Sequence, residues 1–64
     1  MNKEIIANVM KLKDVGLGAK FIRVKEEEKY MYTKVNYGAI NAIKMYDGSV
    51  YLLSEEENII LVIE

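Results

Sequence analysis

A chain of 64 residues with neither cysteine nor histidine has to hold its fold together by side-chain packing. Domains of this size bury only about 60% of the surface that their unfolded chains expose. The usual remedies are disulfides, a structural metal or self-association. Without Cys the first is closed, and without Cys or His a zinc site of the common nitrogen and sulfur kind is closed too. An apolar interior or a second copy of the chain remains. Composition points the same way, since 52% of the residues are apolar and none is proline, so nothing reads as a linker.

Residues 3–14, KEIIANVMKLKD, have the spacing of an amphipathic helix, with Ile5, Ile6, Val9, Met10 and Leu12 on one side. Gly16 and Gly18 would stop it. A strand through the same residues would place Asn8 on the face of Ile6 and Met10. From Ala19 the period changes to two. Ile22 and Val24 oppose Phe21, Arg23 and Lys25; after the charged turn 26–29, Met31, Thr33 and Val35 oppose Tyr30, Tyr32 and Lys34. A break at Tyr37-Gly38 leads to Asp47-Gly48, which between two β-like runs predicts a two-residue type I′ hairpin. That turn sets Tyr46 opposite Ser49, Met45 opposite Val50, Lys44 opposite Tyr51 and Ile43 opposite Leu52. One face is then apolar and is the one expected to lie against the helix, since it asks for no hydrogen-bond partners; the other carries the tyrosines and is left for solvent or binding. After an acidic turn at 54–58, Ile59–Ile63 is apolar on both sides, as in a central strand or an intermolecular contact.

The expected fold is α+β: an N-terminal helix packed on a four- to five-stranded antiparallel sheet in one domain, with consecutive strands paired. The alternative is a small barrel of SH3 or OB type with a helical appendage.

Catalysis finds little footing. The only serines, Ser49 and Ser54, fall in turns, and acid–base work most often uses histidine. The runs Glu26–Glu28 and Glu55–Glu57 are solvated turn carboxylates without the spacing of a calcium loop. Gly16-Leu17-Gly18 follows a predicted helix instead of opening one, so no helix N-terminus faces a phosphate. The reading is a protein that is not an enzyme and uses no cofactor or metal. No run approaches the ~18 apolar residues of a membrane span, and the start lacks a signal-peptide pattern. With the absence of Cys, this favours a cytoplasmic setting.

A binding role is the expectation left. Residues 1–25 carry six positive charges against two negative, and residues 26–64 three against eight, a polarity suited to pairing between chains. Tyrosine provides a large contact area with a polar tip. Tyr30, Tyr32, Lys34, Lys44, Tyr46 and Tyr51 are therefore the candidate partner-binding residues, with a protein as the preferred partner. The same mixture, with Phe21, Arg23 and Lys25, suits a sheet that stacks nucleic-acid bases, but the overall charge of −1 disfavours a polyanion. Ile59, Leu61 and Ile63 are the candidate contacts of a homodimer. Small size and richness in Lys, Ile, Asn and Glu resemble accessory or inhibitory proteins of low-GC bacteria and their phages.

Overall fold

The computed structural model describes residues 4–63 and lays them out as six antiparallel strands. These are β1 (Glu4–Lys11), β2 (Lys20–Arg23), β3 (Met31–Tyr37), β4 (Ile40–Lys44), β5 (Val50–Tyr51) and β6 (Asn58–Ile63). Their order across the sheet is β1-β6-β2-β3-β4-β5. Strands β2 to β5 form the meander that their alternation and short turns favour. β6 then returns to pair with β2 on one side and β1 on the other. This central place accounts for its apolar residues on both faces.

The N-terminal helix is absent. Its residues form β1 and one turn of 3-10 helix at Leu12–Asp14; residue 3 lies outside the described residues. The outcome follows from β6, whose second edge would be left unpaired if β1 were helical. The pairing of β1 with β6 carries a register irregularity between Ile5 and Val9. Such an irregularity breaks the strict period of two. The barrel alternative fails as well, because β1 and β5 end the sheet and are not paired with each other.

The Asp47-Gly48 hairpin also differs from expectation. The ladder pairs Ile43 with Val50 and Ala42 with Tyr51, and the Lys44 N–H donates to the Ser49 carbonyl at 2.8 Å. Residues 45–48 form the loop, closed by the Gly48 N–H on the Lys44 carbonyl. Asp47 keeps a negative φ, and only Gly48, at φ +77°, is left-handed. A type I′ turn would need both positive. The register slips by two residues, so the division into faces survives.

Which face is covered is reversed. The expectation was that the purely apolar side would be buried, since it asks for no hydrogen bonds. Instead the inner face carries Phe21, Tyr32, Ala42 and Ile59, all buried, with Met10, Tyr51 and Leu61 packed at the margins. Leu12, Val15 and Leu53 close over them from the segments beside the strands. Phe21 and Tyr32 stack with centroids 5.5 Å apart.

Two buried polar side chains fasten that cover. Lys34 Nζ donates to the carbonyls of Leu12 and Val15 at 2.9 and 3.3 Å, holding the 3-10 turn. The Asn41 amide donates to the Leu53 carbonyl and accepts from the Leu53 N–H, both at 2.8 Å. It thereby gives segment 52–57 the two bonds a neighbouring strand would have given. The backbone N–H groups of Leu12 and Lys13 add bonds to the carbonyls of Glu57 and Glu55.

Candidate interaction surfaces

Five of the six residues marked for partner binding come together at the β3–β4 end of the inner face. Register places Tyr32 opposite Lys44 and Ala42 opposite Tyr51, so Tyr32, Lys44 and Tyr51 share this side. The Lys44 ammonium lies 4.7 Å from the Tyr30 ring centroid and 5.8 Å from those of Tyr32 and Tyr51. Tyr30 meets the edge of Tyr46 at 5.3 Å, and Tyr32 meets Tyr51 at 5.7 Å. Burial works against the charge on Lys44. Tyr32, Tyr51 and Glu26 outweigh it and hold the ammonium pKa above its ordinary value. Three aromatic faces suited to a cation are thus occupied by the chain's own lysine.

This cluster runs into a polar chain that sequence reasoning did not find. Tyr32 Oη donates to Glu26 at 2.7 Å. Arg23 grips Glu57 with two hydrogen bonds at 2.5 and 2.9 Å and lies 3.6 Å from Glu26. The bond to Glu57 raises the Arg23 pKa further, so the guanidinium is permanently charged. Lys13 pairs with Glu56 at 2.8 Å, and Lys34 stands 3.7 Å from Glu55. The basic N-terminal and acidic C-terminal parts of the sequence therefore meet within one molecule, where an intermolecular role had been expected for their polarity. The signal was the charge asymmetry itself, read without knowing that β6 returns beside β1 and β2.

The remaining marked residues are dispersed. Lys34 is buried under the 3-10 turn. Among the residues marked for self-association, Ile59 is fully buried in the core and Leu61 packs against it, while Ile63 is exposed. Tyr46 is the most open of the tyrosine cluster, at 70% exposure. A shallow cleft of about 380 Å³ lies between Leu17 and Leu52 over Lys34, Asn41 and Glu55. The polar groups of its floor are engaged by the tethers described above.

The outer face of the sheet has a different character. Cross-strand pairing builds one row from Val9, Ile60, Ile22 and Met31, and a second from Val62, Lys20, Thr33, Ile43 and Val50. Ile22 and Val62 are buried, and the central positions beside them are half-buried. Val9 and Val50, at opposite edges, are 53% and 54% exposed. The buried core cluster lies on the inner face and includes no residue of these two rows, which leaves the outer face a layer of its own. Sequence alternation identified its residues but assigned them to the covered side.

Compared with known protein families, curated proteins and solved structures, the chain matches none.

Proposed function

We propose that this protein is a non-enzymatic interaction module that binds another protein through the outer face of its sheet, in an accessory or inhibitory role. The observation that carries the reading is the pair of apolar rows described above. A sheet normally buries each apolar face against a second layer; the core cluster lies on the inner face, and the outer rows are open at Val9 and Val50 on opposite edges. Contiguous apolar surface of this kind marks binding sites on small domains. The tyrosine cluster lies on the other side, where Tyr46 forms part of its open margin.

The nucleic-acid reading has less support. It needs aromatic rings free to stack bases, whereas Phe21 and Tyr32 are fully buried and Arg23 is engaged by Glu57.

The test is capture of a binding protein from nuclease-treated lysate by wild type and by Val50→Glu. Val50 is half-exposed, so the variant retains its fold, and its melting temperature verifies this. The expected result is that wild type captures a partner and Val50→Glu does not. Binding that survives Val50→Glu, or that disappears with nuclease, contradicts the reading. A steep decline in binding between about 50 and 200 mM salt would likewise signal phosphate contacts.

A further inference from the structure

We infer that the partner joins the sheet as a further strand: an extended apolar segment of another protein, with a Lys or Arg near Asp47, that pairs with the free edge of β5 at Val50 and Leu52. This rests on the protein-binding reading above and adds the place and the conformation in which the partner binds.

The first observation is an open ladder. β5 ends the sheet and pairs only with β4. The Lys44 N–H bonds to the Ser49 carbonyl, and hydrogen-bonded pairs alternate with open ones along an antiparallel ladder. Ala42 and Tyr51 are therefore the next bonded pair, and Ile43 and Val50 the open one between. The N–H and C=O of Val50 point away from β4. Leu53 turns both its backbone groups to the Asn41 amide, so those of Leu52, one residue earlier, point outward with Val50. The neighbouring N–H groups are closed within the chain, Gly48 on the Lys44 carbonyl and Ser49 on the Asp47 carboxylate. Among the described residues, the outward groups of Val50 and Leu52 have no partner. N–H and C=O groups that recur at every second residue match an extended strand, whereas a helix spends its own on itself.

The second observation is how little guards this edge. Sheets protect free edges with lysine, with proline or with a bulge. β1, at the other end of the sheet, carries Lys11 and a register irregularity. β5 has neither: Val50 and Leu52 are apolar and stand 54% and 70% exposed. Its guard is its brevity, which limits the pairing to the groups of Val50 and Leu52. An added strand shields both side chains and extends the outer row beyond Val50.

Charge argues against a second copy as the added strand. Two β5 edges paired about a two-fold axis use all their outward groups only when Val50 stands opposite Leu52 of the mate. That register sets Asp47 of each copy toward the acidic segment 54–57 of the other, a like-charge juxtaposition that is unfavourable. Asp47 is in no ion pair among the described residues. A strand that brings a cation to that end complements it.

The probe is a displayed library of peptides of about 10 residues, with Val or Ile fixed at alternate positions and the others random, selected on the intact protein. The expected winners carry Lys or Arg. At 64 residues the whole chain is open to chemical synthesis, so single backbone nitrogens can be methylated. Methylation at Leu52 should raise the Kd of the winners about tenfold or more and leave the melting temperature unchanged. Methylation at Val50 should do the same and serves in its place if the first variant does not fold. Methylation at Tyr51, whose N–H faces β4, should lower the melting temperature instead. In the peptide, methylation should weaken binding at every second residue only. Winners indifferent to methylation at Val50 and Leu52, or with an acidic preference, overturn this inference. If they are still lost with Val50→Glu, the protein-binding reading stands alone. Winners indifferent to all three changes overturn both. An empty selection overturns the inference, as does a wild-type dimer in sedimentation that either methylation dissociates, which would assign the edge to a second copy.

Discussion

Tyr32 does three things at once: its ring stacks on Phe21, its hydroxyl holds Glu26, and its face lies beneath the Lys44 ammonium. Burial, followed by the bond to Glu26, raises its pKa above the ordinary phenol value of 10.0. The raised value favours the neutral form in the folded state. That contribution to stability is complete below the ordinary value and is lost as pH rises through the folded one. Denaturant midpoints measured on the alkaline side of 10 should therefore decline, and Tyr32→Phe should remove this component of the decline. At neutral pH the same variant should cost about 1 kcal/mol for the lost hydrogen bond; an unchanged alkaline profile would exclude Tyr32 as its source. Asn41 acts through its amide instead of its packing. Asn41→Ala leaves the N–H and C=O of Leu53 without the partners they have now, and should destabilise by about 2 to 4 kcal/mol in chemical denaturation. A loss below about 0.5 kcal/mol would mean that water replaces the amide.

At the level of single elements, the hairpin loop separates what neighbouring residues decide from what distant ones decide. Gly48 is left-handed and a Cβ there meets nothing within 4 Å, so Gly48→Ala should cost about 1 kcal/mol through backbone conformation alone. Asp47→Gly should not stabilise, because Asp47 is already at negative φ and accepts from the Ser49 N–H and hydroxyl. A gain in melting temperature for Asp47→Gly would restore the two-residue turn. The presence of a hairpin was legible in Asp47-Gly48, and the faces of β2 and β3 were legible in their alternation, because both signals are local. Loop length was not, since the Met45 N–H bonds to the Met31 carbonyl and keeps that residue with β3. β1 was misread for a similar reason. Ile5, Val9 and Met10 satisfy a helical period, and only the open edge of β6, almost fifty residues away, decides for a strand. Met10 and Leu12 still reach the core, as expected of the apolar stripe, while Val9 falls on the outer face. Of the candidate site, the shared side of Lys44, Tyr46 and Tyr51 and that of Tyr30 and Tyr32 were legible from alternation, while the meeting of the two sets depends on the pairing of β3 with β4. The turn of this side toward the interior was not legible, because an aromatic side closed by Lys34 and Asn41 tethers outcompetes one that is merely apolar.

For the whole molecule, the decisive contrast is between strand β6 as core and β6 as contact. Leu61 lies opposite Phe21 and packs against the core, so Leu61→Lys should place an ammonium beside a closed apolar cluster and cost several kcal/mol. Circular dichroism should show loss of the sheet. A folded monomer formed from a wild-type dimer, seen by sedimentation, would instead identify Leu61 as a contact between chains. The place of β6 between β1 and β2 also imposes an order on biosynthesis. The meander β2–β5 pairs neighbours in sequence and can close as each strand emerges from the ribosome. β1, synthesised before any of them, has its strand partner only in β6, the last of the six described strands. Until then its apolar residues are an unpaired edge, open to chaperones and to strands of other nascent chains. Completion of the sheet is therefore governed by one long-range pairing, and a slow elongation step before Asn58 would prolong that vulnerable interval.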